Sequence, residues 1–436
     1  MGKSQKLYAK AKKIIPGGTQ LLSKRPEMFL PDLWPAYYSK SKGCKIWDLD
    51  GNKYTDMSYM GIGSCILGYA DDEVNEKVKE CIDSGNMTTL NAPEEVELAE
   101  LLCDIHPWAD NVRFAKTGGE SMAIAVRIAR AKTQKDIVLF CGYHGWHDWY
   151  LAANLADNKA LDGHLLSGLS PLGVPRGLKG TAYPFPYNDT DAFMKLYEEH
   201  KGKIAAVVME PLRSDYPTSE FIDTIHKVTK KNNIVLIVDE ITAAWRLNFG
   251  GAHLKLGIEP DIAVFGKALS NGYPMGAIIG KKEVMNAVQD TFISSTYWTD
   301  RIGFVASLAT LRQLKEYDVA KHLETIGLMV QDGWNQLAKK YSINITAGGL
   351  YPLSHFSFNY DEAIIIKTLF TKLMLEKGFL ANTAFYVSFA HKEDDVKNYL
   401  QAVDEVFEKL KNYIEDDSLK KQLNTPVAHS SFSRLT

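Results

Sequence analysis

Ile262-Ala263-Val264-Phe265-Gly266-Lys267-Ala268-Leu269-Ser270-Asn271-Gly272-Tyr273-Pro274-Met275-Gly276 sets a short apolar run, then a lysine, against a glycine-rich turn. The apolar residues read as a buried strand. Lys267 ends that strand, where solvation is poor. Partial burial disfavours the ammonium form and frees the amine as a nucleophile. Such an amine suits Schiff-base formation, most often with pyridoxal phosphate (PLP). Most strand-end lysines are structural or simply solvated, so the position needs a partner before it means chemistry.

The partner lies upstream. Ile234-Val235-Leu236-Ile237-Val238-Asp239-Glu240 is a continuous β-branched run ending in two acids. It reads as a central parallel strand that delivers a carboxylate to the carboxyl edge of a sheet, where open α/β sheets bind ligands. Asp239 lies 28 positions before Lys267, room for one crossover and a second strand. An aspartate facing a pyridine nitrogen keeps it protonated, so that the ring accepts electrons. A helix cap or a metal-binding acid would also explain a lone Asp239. A strand ending in Asp followed by a strand ending in Lys favours the cofactor.

The same alternation extends from about 111 to 285. Short buried runs at Val112–Ala115, Ile137–Cys141, Ile204–Glu210, Ile234–Asp239, Ile262–Phe265 and Ala277–Ile279 are separated by helical segments. The pattern predicts a mostly parallel sheet covered on both faces. Residues 4–14 read as a basic amphipathic helix. Lys45–Leu49 and Lys53–Met57 flank Asp50-Gly51-Asn52, a hairpin signal. Asp71-Asp72-Glu73 opens a helix through about Ser84, and Glu94 to Cys103 is another. Residues 303–316 read as a long helix leaving the sheet domain, and 320–415 as a smaller α+β domain. The tail from Asn424 to Thr436 is polar with weak periodicity and predicts little order.

Composition narrows the class. A chain of 436 residues, 45% hydrophobic and 24% charged, has room for two domains and a large core. A net charge of −3 argues against general nucleic-acid binding. No apolar run reaches membrane-spanning length, the first residues carry no signal-peptide core, and no Ser or Thr stands at the myristoylation position. The 5 cysteines are scattered without a CxxC pair and read as reduced thiols in a cytoplasmic protein. Gly61-Ile62-Gly63 begins like a dinucleotide fingerprint but lacks the third glycine, and reads better as a substrate-side loop.

With these residues in place the chain resembles the class III (subgroup II) aminotransferases of PLP fold type I, and within them the glutamate-1-semialdehyde 2,1-aminomutases. The motifs are Pro16-Gly17-Gly18, Thr117-Gly118-Gly119-Glu120, Tyr143-His144-Gly145-Trp146-His147, Met209-Glu210-Pro211, Val238-Asp239-Glu240, Gly250-Gly251-Ala252 and the Lys267 loop. The resemblance runs from about Pro16 to Val406. It implies a large PLP-binding domain (61–318) with a seven-stranded-type, mostly parallel sheet. It also implies a smaller α+β domain from 319–436, joined by residues 1–60, which contribute a dimer-facing arm.

It also implies roles. Lys267 holds PLP and Asp239 faces its ring nitrogen. The amides of Gly118 and Gly119, with Thr117 nearby, hold the phosphate at a helix start, an arrangement that favours anions. Tyr143 stacks on the ring, and Glu210 organises the site. Thr296 aligns with a threonine that reaches the phosphate of the other subunit, so a homodimer with its active site at the interface is expected. Arg25, Arg213 and His144 are the candidate substrate contacts. Arg213 suits a carboxylate or phosphate by its fork, and suits a surface ion pair equally. His144 and His147 form an HxxH, but no third ligand has sensible spacing and no metal is expected.

Several positions depart from the family. Gly119 stands where Thr or Ala is usual, which costs a possible side-chain donor. Thr299-Asp300-Arg301 replaces Gly-Asn-Pro, a variant found in relatives that accompany surface-polysaccharide pathways. Arg25 lies one position later than the aminomutases' carboxylate-binding arginine. Leu380–Ser388 is short and lacks their gating acid. An isomerase must retain its intermediate, so altered gating argues for simple amino transfer. The leading expectation is a PLP-dependent aminotransferase acting between an amino donor and an aldehyde or keto acceptor. An intramolecular aminomutase on the same scaffold is the alternative. A nucleotide-binding dehydrogenase is the reading from another class. The acceptor stays open among amino acids, ω-amines and free or nucleotide-linked sugar aldehydes.

Overall fold

The structure, a computed structural model, describes residues 2–164, 167–212 and 215–432. Helix α1 (Lys3–Ile14) precedes three antiparallel strands, β1 (Tyr38–Lys42), β2 (Lys45–Asp48) and β3 (Lys53–Met57). The β2–β3 turn is closed by one side chain. A carboxylate oxygen of Asp48 accepts the N–H groups of Asp50 and Asn52, each at 2.9 Å. Gly51 between them takes φ 88°, a left-handed conformation that glycine adopts without steric cost. These elements belong to a unit made of Met1–Asp71 and Lys321–Thr436; Asp72–Ala320 is the other unit.

In the Asp72–Ala320 unit, α2 (Asp72–Ser84) and α3 (Glu94–Ile105) lead to β4 (Asn111–Ala115), and α4 (Gly118–Thr133) to β5 (Ile137–Cys141). Then come β6 (Ala182–Pro184), β7 (Ile204–Met209), β8 (Val235–Asp239), β9 (Ile262–Phe265) and β10 (Gly276–Gly280). They form one seven-stranded sheet in the order β4-β10-β9-β8-β7-β5-β6. All neighbouring pairs from β6 to β9 are parallel; β10 alone runs against both its neighbours. The mostly parallel sheet expected from the alternation is present. β6 was not legible: three residues ending in proline carry no periodicity, and proline is tolerated there because β6 is an edge.

The uninterrupted apolar runs have a simple cause. Successive side chains point to opposite faces, and both faces are covered. Val235 and Ile237 of β8 pack with α4 residues such as Ala125 and Ile128. Leu236 and Val238 pack on the other side with Phe193, Phe221 and Ile225. Register then sets the chemistry. Asp239 at the end of β8 pairs with Val264, so the segment Phe265-Gly266-Lys267 leaves from the same carboxyl edge. Ala115 pairs with Gly276 and Cys141 with Met209, which brings the β4–α4 turn and residues 142–144 and 210 to that edge too.

In the Met1–Asp71 and Lys321–Thr436 unit, β11 (Ile345–Gly348), β12 (Leu353–Phe358) and β14 (Ala384–Tyr386) form an antiparallel sheet, while β13 (Phe379–Ala381) joins β3 in parallel. The described part of the tail, residues 424–432, is better anchored than its composition predicts. Ala428 N–H donates to the Thr368 hydroxyl at 3.0 Å and His429 N–H to the Glu27 carbonyl at 2.7 Å. Main-chain bonds to buried partners impose order that side-chain periodicity does not reveal. Gly61, Ile62 and Gly63 take φ of 66°, 60° and 78° in a tight turn on the connection from β3 to α2. Among the described residues no helix is long and apolar enough to cross a membrane.

Candidate active site

Lys267 follows β9 at φ 43°, a left-handed conformation uncommon for a residue with a side chain. Its Nζ donates a 2.7 Å hydrogen bond to Oγ1 of Thr242. Loss of hydration pushes the Lys267 ammonium below the ordinary lysine range. The Asp239 carboxylate opposes that shift, the Arg246 guanidinium adds to it, and Glu210 opposes it more weakly. The amine is therefore more readily available as a neutral nucleophile than a surface lysine is.

Thr242 is held by a clamped loop. Arg246, 1% exposed, donates from Nε to the Thr242 carbonyl at 2.8 Å. Glu240 is fully buried and accepts the N–H groups of Ala252 at 2.9 Å and His253 at 2.7 Å, together with Nδ1–H of His253 at 2.7 Å. Nε2 of His253 accepts the Trp108 indole N–H at 2.9 Å, which fixes the tautomer. Nε2 of His106 accepts the Gly251 N–H at 3.0 Å. Both ends of the 240–251 loop are thus tied by buried hydrogen bonds. Thr242 and Arg246 escaped the sequence reading because a Thr-x-x-x-Arg spacing after a strand has no distinctive pattern.

Asp239 is 4% exposed. Its Oδ1 accepts the Ile241 N–H at 3.1 Å, and its Oδ2 lies 2.8 Å from Nδ1 of His144. Nε2 of His144 lies 3.1 Å from the Cys141 carbonyl. Both ring nitrogens face acceptors, so both bonds form together only when each nitrogen carries a hydrogen. His144 was expected as a substrate contact. The structure instead buries it to 1% exposure with both nitrogens engaged inside the protein.

Tyr143 is half-buried, and its N–H donates to Glu210 Oε2 at 3.1 Å. Burial pushes its phenol pKa upward, and Asp239 adds to the effect. Gly142 takes φ 119°, and a Cβ there would lie 2.5 Å from Glu210 Oε2. Only glycine lets the chain pass this close to the carboxylate.

Thr117 is the N-cap of α4, with Glu120 accepting the N–H groups of Lys116 at 3.0 Å and Thr117 at 3.4 Å. The N–H groups of Gly118 and Gly119 open the helix and have no acceptor within its first turn. A Cβ on Gly118 would come within 3.0 Å of Ile241, and one on Gly119 within 3.0 Å of His147 Nδ1.

Thr296 is exposed on the segment before the helix Arg301–Glu316. The departures beside it are anchors. Asp300 caps that helix by accepting the Ile302 N–H at 3.1 Å, and it forms an ion pair with Lys116. Arg301 grips Glu94 with two N–H groups at 2.9 and 2.6 Å. Arg25 belongs to the Met1–Asp71 and Lys321–Thr436 unit, where its guanidinium lies over the Phe432 ring at 5.7 Å. Arg213 lies outside the described residues.

These residues fit PLP. A desolvated amine, a buried carboxylate and a glycine-opened helix start all leave one sheet edge. The class-III aminotransferase family profile matches residues 31–415. The chain belongs to the class-III aminotransferases. It is 33% identical to the glutamate-1-semialdehyde 2,1-aminomutase of Thermodesulfovibrio yellowstonii over 94% of this chain and 99% of that one. It is 27% identical to the 3-aminobutyryl-CoA aminotransferase of Cloacimonas acidaminovorans over 95% and 99%. Among solved structures, the FumI protein of Sphingopyxis sp. MTA144 in its PLP internal aldimine form is similar, with TM-score 0.86, 25% identity and coverage of 98% and 99%. A transaminase with PLP bound is similar at TM-score 0.82, 25% identity and coverage of 94% and 98%. The fold is PLP-dependent transferase fold type I, and as a class-III aminotransferase this chain is a PLP-dependent enzyme.

Proposed function

We propose that the enzyme transfers an amino group between a donor and a separate aldehyde or keto acceptor, a sugar carbonyl among the candidate acceptors. PLP, when bound, supplies an aldehyde that receives the amine and a ring that withdraws electrons. In this reading the Lys267 amine carries the proton to and from the reacting carbon. Thr242 receives the amine's hydrogen bond and fixes where it waits. Asp239 holds a proton at the ring nitrogen, and His144 holds Asp239. The Gly118 and Gly119 amides bind the phosphate, Thr117 caps the helix behind it, and Tyr143 flanks the ring with its backbone held by Glu210. The observation that carries these roles is the pairing of Asp239 with Val264, which sends the buried carboxylate and the Lys267 loop off one edge of the sheet.

Transfer to a second molecule is favoured over isomerisation by the β13–β14 turn. Asn382 there is 2% exposed and its Oδ1 accepts the Ala384 N–H at 2.6 Å. An amide tied to its own turn is not a mobile gating acid. The relatives divide between the two reactions, one named an aminomutase and one an aminotransferase. A panel of amino donors and carbonyl acceptors, read by the visible spectrum, tests the proposal. Amino transfer that requires an added carbonyl acceptor supports it; conversion of one amino aldehyde into its isomer with no added acceptor refutes it.

The partner in this reading is a second copy of the chain. Leu90, Phe292 and Tyr297 are 81%, 85% and 72% exposed. They sit on segments that are tied together, since Asn86 accepts the N–H groups of Arg301 at 3.1 Å and Ile302 at 3.0 Å. Large apolar side chains left this exposed suit an interaction surface. Thr296 lies on it and would reach the partner's phosphate.

A further inference from the structure

We infer that His147 binds the cofactor phosphate, in place of the side-chain donor that Gly119 lacks. The inference rests on the reading of the Gly118–Gly119 turn as the phosphate cradle. The Nδ1–Cε1 edge of the His147 ring faces Gly119: a Cβ built on Gly119 would lie 3.0 Å from Nδ1 and 3.1 Å from Cε1. The imidazole therefore fills the space that a threonine or serine at 119 would occupy.

Two further observations tie the ring to this place. Gly145 takes φ 103°, and a Cβ on it would lie 2.8 Å from the Gly119 Cα, so the two glycine backbones are in direct contact. The His147 carbonyl accepts the N–H groups of Tyr150 at 2.9 Å and Leu151 at 3.2 Å, which fixes the backbone from which the ring projects. On its outer side the ring stacks on Trp146, with centroids 4.5 Å apart.

Among the described residues, the buried Nδ1 of His147 has no hydrogen-bond partner. A buried nitrogen without a partner is costly, and such atoms in native structures call for an explanation. An anion at the start of α4 supplies one, because the first N–H groups of a helix have no acceptor within it and attract anions. Burial lowers the His147 pKa, against the weaker pull of Glu120 and Asp148, so the neutral ring prevails at neutral pH. A neutral imidazole still donates one N–H, and the tautomer with hydrogen on Nδ1 serves.

The test is titration of the apoenzyme with PLP and, in parallel, with pyridoxal, which lacks the phosphate. His147→Phe keeps a ring and removes the donor. PLP affinity is expected to fall roughly ten- to hundredfold, the scale of one hydrogen bond to a charged group, with pyridoxal affinity unchanged. His147→Asn, which keeps an N–H, should lose less. Gly119→Ser combined with His147→Ala should bind PLP more tightly than His147→Ala alone, because a hydroxyl then occupies the vacated space. Equal PLP affinity in wild type and His147→Phe, or parallel loss of PLP and pyridoxal, overturns the inference. Thr117→Asp separates it from the reading beneath it. Aspartate caps a helix well but adds negative charge at the cradle. If Thr117→Asp leaves the preference for PLP over pyridoxal intact, the cradle is misplaced and both fall. If it abolishes the preference while His147→Phe does not, only His147 is wrongly assigned.

Discussion

The Lys267 amine donates to the Thr242 hydroxyl across 2.7 Å, and Thr242 is itself held by buried Arg246 through its carbonyl. In the proposed mechanism the nucleophile is thus located by a loop that carries no distinctive sequence pattern. Thr242→Val keeps the side-chain shape and removes the acceptor. A buried amine then lacks a partner, a loss worth about 1–3 kcal/mol. Stopped-flow measurement of PLP capture by the apoenzyme is expected to show a rate changed by roughly tenfold or more, with Thr242→Ser close to wild type. Equal rates in all three proteins would remove Thr242 from this role.

Capture should also report the lowered pKa of Lys267. The protonated amine is not nucleophilic, so the rate rises with pH and levels off once the amine is neutral. Because burial lowers the pKa, the plateau is expected below the pH of about 10.4 that governs a free lysine. Asp239 raises the Lys267 pKa, so Asp239→Asn should move the plateau to lower pH even as turnover falls. A plateau that stays put, or moves upward, would separate Asp239 from Lys267.

His106 couples pH to the clamped loop. Burial holds its pKa down to about 4, from an ordinary value of 6.5. Above pH 6.5 the ring is neutral in both folded and unfolded chains and contributes no pH dependence. As pH falls from 6.5 towards 4, the unfolded chain takes up a proton that the folded one refuses, and stability is lost over that window. The full loss is on the order of 3 kcal/mol. Chemical denaturation of wild type and His106→Asn between pH 7 and 4 checks this; the variant should show the smaller slope.

Much of this was legible in the sequence, for reasons specific to particular residues. The runs ending at Asp239 and Phe265 were readable because strands buried on both faces need apolar residues throughout. The helix start at Gly118 was readable because glycines directly after a strand mark a turn that opens a helix. Thr242, Arg246 and His106 were not, since their roles depend on loop closure that no local period encodes. His144 was read as facing substrate because chain position next to Tyr143 says nothing of ring direction. Hydrogen bonds to Asp239 and the Cys141 carbonyl turn it inward.

The exposed Thr296 surface gives a test of assembly. Thr296→Val is expected to weaken PLP binding by about 1.5–3 kcal/mol, the value of one hydrogen bond to a charged group. Phe292→Asp should shift the sedimenting species from dimer towards monomer, because it would place a charge in the proposed interface. A fully active monomer would refute the shared site.

The central claim is that Lys267 is the amine on which the chemistry turns. Borohydride reduction of the PLP-loaded enzyme, followed by peptide mass mapping, tests it most directly. The cofactor is expected on the peptide containing Lys267 in wild type and on no peptide of Lys267→Ala, which should still hold PLP loosely through its phosphate yet show no turnover. A cofactor mass on a different lysine in wild type, or substantial turnover in Lys267→Ala without added amine, would contradict the account.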